Sequence, residues 1–192
     1  MLKLKKIGVF LIPVAVLLVI FSALFIAPYN SLVNEEAEVE NSWANIDTVL
    51  QRRYDLIPNL VNSVKANMAQ EEDIFLGIAK SRENYNKATT TEEKANASEE
   101  LSANIGTVLN VIQEDYPELS SNTNVQDLMT QLEGTENRIA VARNKYNGHV
   151  TEYNKSIRQF PKSLIANMFG FDKKELFKAN ENASTAPSVD FE

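Results

Sequence analysis

The side chains able to do nucleophilic, acid–base or metal chemistry are few. Among 192 residues there is no Cys and one His, His149. That excludes a disulfide framework, a thiolate nucleophile and cysteine-ligated zinc or iron–sulfur clusters. One imidazole falls short of the two or three in most catalytic metal sites, and a Ser-His-Asp triad would rest on His149 alone. A ferritin-like di-metal centre needs Glu-x-x-His on two helices, whereas Tyr146 stands three residues before His149. The 26 Asp and Glu residues could form a glycosidase-type pair only across a cleft, and carboxylates along helices are usually a solvated face. The expectation is a protein with no catalytic activity, no cofactor and no metal.

Two polar groupings have spacings that suit recognition better than reaction. At 100° per residue, Asp55, Asn59 and Asn62 fall within about 60° of one another on a helix. Beside them is Pro58, whose ring removes a backbone donor. They lie nearly opposite the apolar positions of the same segment, so they form either a candidate partner surface or the ordinary polar back of a helix. Glu136, Arg143, Asn147 and Asn154 follow at offsets of 0, 7, 11 and 18, a narrow stripe along the boundary of an apolar face. A boundary stripe can set helix register or line a polar groove, and register is the favoured reading. His149, beside Gly148, reads as a helix-edge residue.

The elements that position these residues are long helices. Leu32, Val39, Trp43, Ile46, Leu50, Ile57, Leu60 and Val64 recur at steps of three and four. Val125, Leu128, Leu132, Ile139, Tyr146, Val150, Tyr153, Ile157 and Phe160 repeat the pattern. Between them the spacing predicts shorter helices over about 72–88 and 92–116. Thr90 with Glu93 makes a capping box before the second, Pro117 ends it, and Asn124 with Asp127 resembles another cap. The turn near Gln70–Asp73 carries no Gly or Pro. No stretch alternates with period two, so the fold class is all-α: an antiparallel up-and-down four-helix bundle over residues 29–177. Residues 178–192 lack a packable face and read as a flexible tail.

The antiparallel arrangement makes a register prediction. Paired positions on the two long helices sum to roughly 189–194, which sets Arg53 level with Glu136. Arg53 falls about 40° from the centre of its helix's apolar stripe, where an unpaired guanidinium is expensive. A structural ion pair between Arg53 and Glu136 follows, and Trp43 is expected to be largely buried against the last long helix. That helix returns toward the point where the first one starts. The stretch from Phe160-Pro161 through Leu164 to Phe171 then either closes the end of the bundle or touches a membrane interface.

From Ile7 to Pro28 the chain runs 22 residues without a charge. A helix of that length covers about 33 Å, enough for a hydrocarbon core of roughly 30 Å. Fourteen residues between Val9 and Ile26 are Val, Ile, Leu or Phe, so insertion gains about 4 to 8 kcal/mol. The exit from Ser22 to Pro28 lacks the small-residue pair of a processing site. Residues 1–28 are therefore expected to be a basic tail and an uncleaved single-pass transmembrane anchor, with the lipid bilayer as partner over residues 7–28. Lys3, Lys5 and Lys6 predict a cytoplasmic N-terminus and an extracytoplasmic bundle. They are the only charges of that segment, leaving 16 basic against 26 acidic residues beyond it. Such a surface argues against nucleic acid as a partner.

The anchor followed by Tyr29-Asn30, and then the run Arg52-Arg53-Tyr54-Asp55-Leu56-Ile57-Pro58-Asn59-Leu60-Val61, resembles the bacterial LemA family. So do Glu114-Asp115-Tyr116-Pro117-Glu118-Leu119, Thr135 to Arg143, the pairs Tyr146-Asn147 and Tyr153-Asn154, Phe160-Pro161 and Phe169-Gly170-Phe171. The resemblance implies a helical bundle on an N-terminal anchor in the bacterial inner membrane, with a link to membrane-protein quality control. It also implies an N-terminus outside the cell, opposite to the lysine reading, so both orientations stand. The leading expectation is a membrane-anchored scaffold or interaction protein whose partner is a membrane or envelope protein. The alternative is a ligand-sensing bundle that signals through a membrane partner.

Overall fold

The computed structural model describes residues 13–16, 18–19 and 21–177. Lys3, Lys5, Lys6 and the proposed tail 178–192 lie outside the described residues, as does much of the run 7–28. Among the described residues all regular structure is helical. None of these helices is long and apolar enough to cross a membrane. A π-helical turn, Ser22–Ile26, leads into α1, Ala27–Val64. Then come α2, Glu72–Lys87, α3, Thr91–Asp115, the single turn α4, Pro117–Ser120, α5, Thr123–Ser156, and the short α6, Lys162–Phe169.

Local chemistry accounts for the breaks. The chain turns between Val64 and Glu72 on backbone bonds, Met68 N–H to Val64 carbonyl and Glu71 N–H to Met68 carbonyl, each 3.1 Å, with the Tyr116 hydroxyl donating to Glu71 Oε1 at 3.4 Å. Thr90 caps α3: its side chain accepts the Glu93 N–H while Glu93 accepts the Thr90 N–H, so two otherwise orphaned donors are satisfied. Pro117 cannot continue α3 but suits the first position of α4. The cap before α5 differs from expectation. Asn122, not Asn124, supplies it, with Oδ1 accepting the N–H groups of Asn124 and Val125 at 3.0 and 3.3 Å. Asn122 stands one residue before the helix, within reach of the first free donors, whereas Asn124 is already helical. At the far end Gly170 adopts φ 77°, the left-handed geometry that stops α6. Pro58 sits inside α1, which continues through it to Val64.

Within residues 29–177 the chain forms two compact units. One holds Ser42–Asn147 together with the segment that begins at Glu175. Its core draws on all four long helices: Ile57, Leu60 and Val64 from α1, Ile78 from α2, Leu101, Ile105, Val108 and Ile112 from α3, and Val125, Met129 and Leu132 from α5. Polar contacts give the directions. Asn104 and Asn84 link α3 to α2 through Ser81 and Glu100 in antiparallel order. On α1 and α3, Asp47 meets Lys94 and Arg53 meets Ser102, so those two run parallel. Trp43 faces Tyr146 and Arg53 faces Glu136, so α1 and α5 are antiparallel. This is an up-down-up-down bundle.

The other unit comprises the chain up to Asn41 and Gly148–Lys174. Leu32, Ile165 and Ala166 are buried at its centre, with Phe25, Tyr29, Ile157 and Phe171 against them. Lys162 and Glu35 pair at 2.6 Å between α6 and α1. The expected stripe of α1 is buried throughout except at Trp43, which is half-buried. Its indole lies on the ring of Tyr146 at 5.4 Å and on Phe177 at 5.9 Å, with the Lys94 ammonium on the ring at 5.7 Å. It is an edge residue beneath a cation, not a core residue.

Candidate functional site

Arg53 is the largest of the fully buried side chains, 1% exposed. The i, i+3, i+4 pattern of α1 turns it inward toward two neighbouring helices. Nη1 donates to the Ser98 carbonyl at 3.3 Å and to Ser102 Oγ at 2.7 Å, both on α3. Nη2 donates to Glu136 Oε2 on α5. One planar fork thus ties three helices. The Glu136 side chain remains half exposed, so water reaches one side of the pair. Burial pushes the Arg53 guanidinium down to about 10, and the positive charge of Arg143 adds to the shift. It stays cationic at neutral pH.

The rest of the polar stripe on α5 holds a segment of the chain itself. Beyond Gly170 the chain is non-helical from Phe171 to Phe177. Asn154 donates from Nδ2 to the Lys174 carbonyl at 2.8 Å and accepts the Lys174 N–H on Oδ1 at 2.9 Å. Asn147 does the same to Phe177, 2.9 Å to its carbonyl and 2.8 Å from its N–H. Each side-chain amide exchanges two bonds with one residue's main chain, as a neighbouring strand would.

Further contacts lock this strap. The Tyr146 hydroxyl donates to the Glu175 carbonyl at 2.9 Å. The Arg143 guanidinium lies 5.0 Å from the Phe177 ring centroid, and the Phe177 side chain is buried. Lys174 pairs with Glu36 at 2.6 Å and stands over the Tyr153 ring. Burial pushes the Tyr153 phenol up to about 12, and Glu36, Asp172 and Glu35 push the same way.

The remaining candidates are placed as follows. Asp55, Asn59 and Asn62 are exposed on α1 and Pro58 is half-buried. Asp55 accepts from Gln51 one turn earlier at 2.8 Å, so its carboxylate is held by its own helix and faces outward. The Nδ1 of His149 lies 3.3 Å from Glu38 Oε2, a helix-to-helix contact. The register stripe divides. Glu136 joins Arg53, whereas Arg143 and Asn147 meet Phe177 within one unit and Asn154 meets Lys174 within the other.

The family model described as the LemA family matches residues 42–191. This chain belongs to the LemA family. Among curated relatives, Magnetosome protein MamQ 2 of Paramagnetospirillum magneticum is 26% identical over 192 residues, covering 87% of this chain and 71% of the relative. Magnetosome protein MamQ of Magnetospirillum gryphiswaldense is 26% identical over 185 residues, covering 83% and 68%.

In this LemA-family chain Tyr146, Asn147 and Asn154 hold the main chain of the chain's own non-helical segment by hydrogen bonds. Sequence reasoning missed the strap. Its signal was present in the pair Tyr-Asn recurring seven residues apart, at 146–147 and 153–154. Asn in the middle of a helix is a poor helix former, and two at one heptad spacing ask for an external partner. What the pattern alone does not name is that partner, which arrives from twenty to thirty residues downstream.

Proposed function

We propose that this LemA-family chain is a non-catalytic, membrane-anchored scaffold that works by binding another protein. The observation that carries the reading is that Asn147 and Asn154, each within its own unit, grip the main chain of one residue through two hydrogen bonds. Each is a device for gripping a chain without altering it. The relatives are named for a compartment and not for a reaction, which favours an assembly role. The anchor is assigned to residues 7–28 of a bacterial cell membrane, with the bundle on the extracytoplasmic side. Supporting it, Val16, Leu18, Val19 and Phe21 are 51%, 64%, 68% and 54% exposed, a dense apolar surface without protein cover. The partner surface is assigned to Asp55, Asn59 and Asn62, whose outward position has no packing role, together with the half-buried Pro58 beside them.

The test has two arms. Membranes from cells making the full chain are washed with alkaline carbonate, and the chain should stay in the pellet at full length. Release into the wash, or a mature N-terminus near Tyr29, overturns the anchor. Cross-linking in intact cells is then compared between the wild type and Asp55→Lys. A discrete cross-linked species, reduced at least about tenfold by the variant (roughly 1.4 kcal/mol), supports the partner surface. An unchanged pattern assigns binding elsewhere.

A further inference from the structure

The short helix α6 presents an apolar face that its own unit does not use. Ile165 and Ala166 turn inward and are buried beside Leu32. Phe160, Leu164, Met168 and Phe169 are instead 77%, 55%, 65% and 57% exposed. Leu164 and Met168 are four residues apart, so they lie one above the other on a single face. Four large apolar side chains clustered around an eight-residue helix exceed the scattered hydrophobes of an ordinary surface.

Tyr29 locates this patch. It follows the uncharged run directly, and its ring meets Phe169 edge-on with centroids 4.9 Å apart and Phe171 at 5.8 Å. Met168 and Phe169 share with Phe21, Phe25, Ile26 and Tyr29 an open cleft of about 510 Å³. Those lining atoms are almost all carbon, and Phe21 to Ile26 belong to the run itself. Arg158 and Lys173 are exposed in the segments flanking α6. Aromatic rings and cations beside an apolar face are the composition of the bilayer's headgroup region.

We infer that α6 is an interfacial helix. Phe160, Leu164, Met168 and Phe169 seat at the boundary between headgroups and acyl chains, and the cleft that Met168 and Phe169 share with the anchor's last turns receives an acyl chain. The occupant is lipid and not protein because the patch is continuous with the anchor. A side chain one ring away from where the chain leaves the hydrocarbon core stands at headgroup depth whatever else binds. The inference rests on the anchor reading above.

The test uses the full chain in phosphatidylcholine vesicles, with Trp43→Phe so that one introduced indole reports at a time. Met168→Trp and Leu164→Trp probe α6, and Leu18→Trp probes the middle of the anchor. All three positions are exposed, so each variant should keep the helical circular-dichroism signal. Bromines are placed on the lipid either near the ester carbonyls or near the chain ends. The α6 indoles should lose at least about half their emission to the shallow bromines, with less quenching by the deep ones. Leu18→Trp should show the reverse. If Leu18→Trp is quenched while both α6 indoles are not, the interfacial helix is overturned and the anchor stands. If none is quenched, the anchor fails and the inference falls with it. Indoles that are blue-shifted but unquenched mean that protein covers the face, which also overturns it.

Discussion

The two ends of the Arg53–Glu136 pair are not equivalent, because burial is concentrated at one of them. Arg53 is 1% exposed, and its loss opens a cavity between three helices and leaves Glu136 unpaired, while Ser102 Oγ keeps its own bond to the Ser98 carbonyl at 2.9 Å. Arg53→Ala should therefore cost about 3 to 5 kcal/mol, as for other large buried side chains cut back to Ala. Glu136 is half in water, and Arg53 keeps two acceptors without it, so Glu136→Ala should cost about 1 kcal/mol. Chemical unfolding of the detergent-solubilised chain gives both values, and equal costs would mean that water is shut out of the pair. The asparagine clasps call for a local measurement. Each makes two hydrogen bonds worth about 0.5 to 1.5 kcal/mol apiece. Asn147→Ala or Asn154→Ala should then raise trypsin cleavage after Lys173 and Lys174 by about ten- to hundredfold, with global stability changed much less. Asn→Asp, which keeps the acceptor and loses the donor, should fall between. Unchanged cleavage in all four would mean that the strap is held by Phe177 and Lys174 alone.

Among the elements, α3 shows how a local signal can set a boundary. The Thr90–Glu93 box places two reciprocal bonds at the helix start, and the Thr89 and Thr90 N–H groups hold the Glu93 carboxyl below the ordinary carboxylate value. Thr90→Ala should lower stability by about 1 kcal/mol, visible as a drop of a few degrees in Tm, while Thr90→Ser should be nearly neutral. A Tm equal to that of the wild type for Thr90→Ala would show that packing at Ala95 and Ala97, both buried, holds the helix start unaided. Such boxes are readable because donor and acceptor lie three residues apart in the chain. The cap before α5 was misassigned for a related reason. Asn122 and Asn124 both fit the residue preference, and only the position of the first helical turn distinguishes them.

At the scale of the molecule, charge makes the unit around α6 sensitive to acid. Burial would raise the Glu35 carboxyl, but hydrogen bonds from Lys162, Ser156 and Ser31 and the Lys162 charge outweigh it, leaving it below the usual 4.5. A carboxylate with a depressed folded value contributes stability in full above its unfolded value. That contribution is lost as the pH falls through the folded one. Glu35→Gln should thus lower Tm at about pH 7 and narrow the gap between the melts at about pH 7 and about pH 3. A gap as wide as the wild type's would assign the acid sensitivity to other carboxylates.

The four long helices, the helical class and most core positions of α1 and α5 were legible in the chain, because a 3.6-residue period repeated over thirty residues admits one packing face. The short helices α4 and α6 were not, and Phe160, placed in the last stripe, lies past the end of α5 and is exposed. The level of Arg53 against Glu136 was legible too, since two long antiparallel helices joined through short turns leave little freedom of register. Trp43 meets Tyr146 of the last long helix as expected but is only half-buried, for a reason the period does not contain: a cation and the strap, as well as that helix, complete its surroundings. The strap itself required the folded chain. An irregular segment has no period to read, and its two clasps unite residues 20 and 30 positions apart.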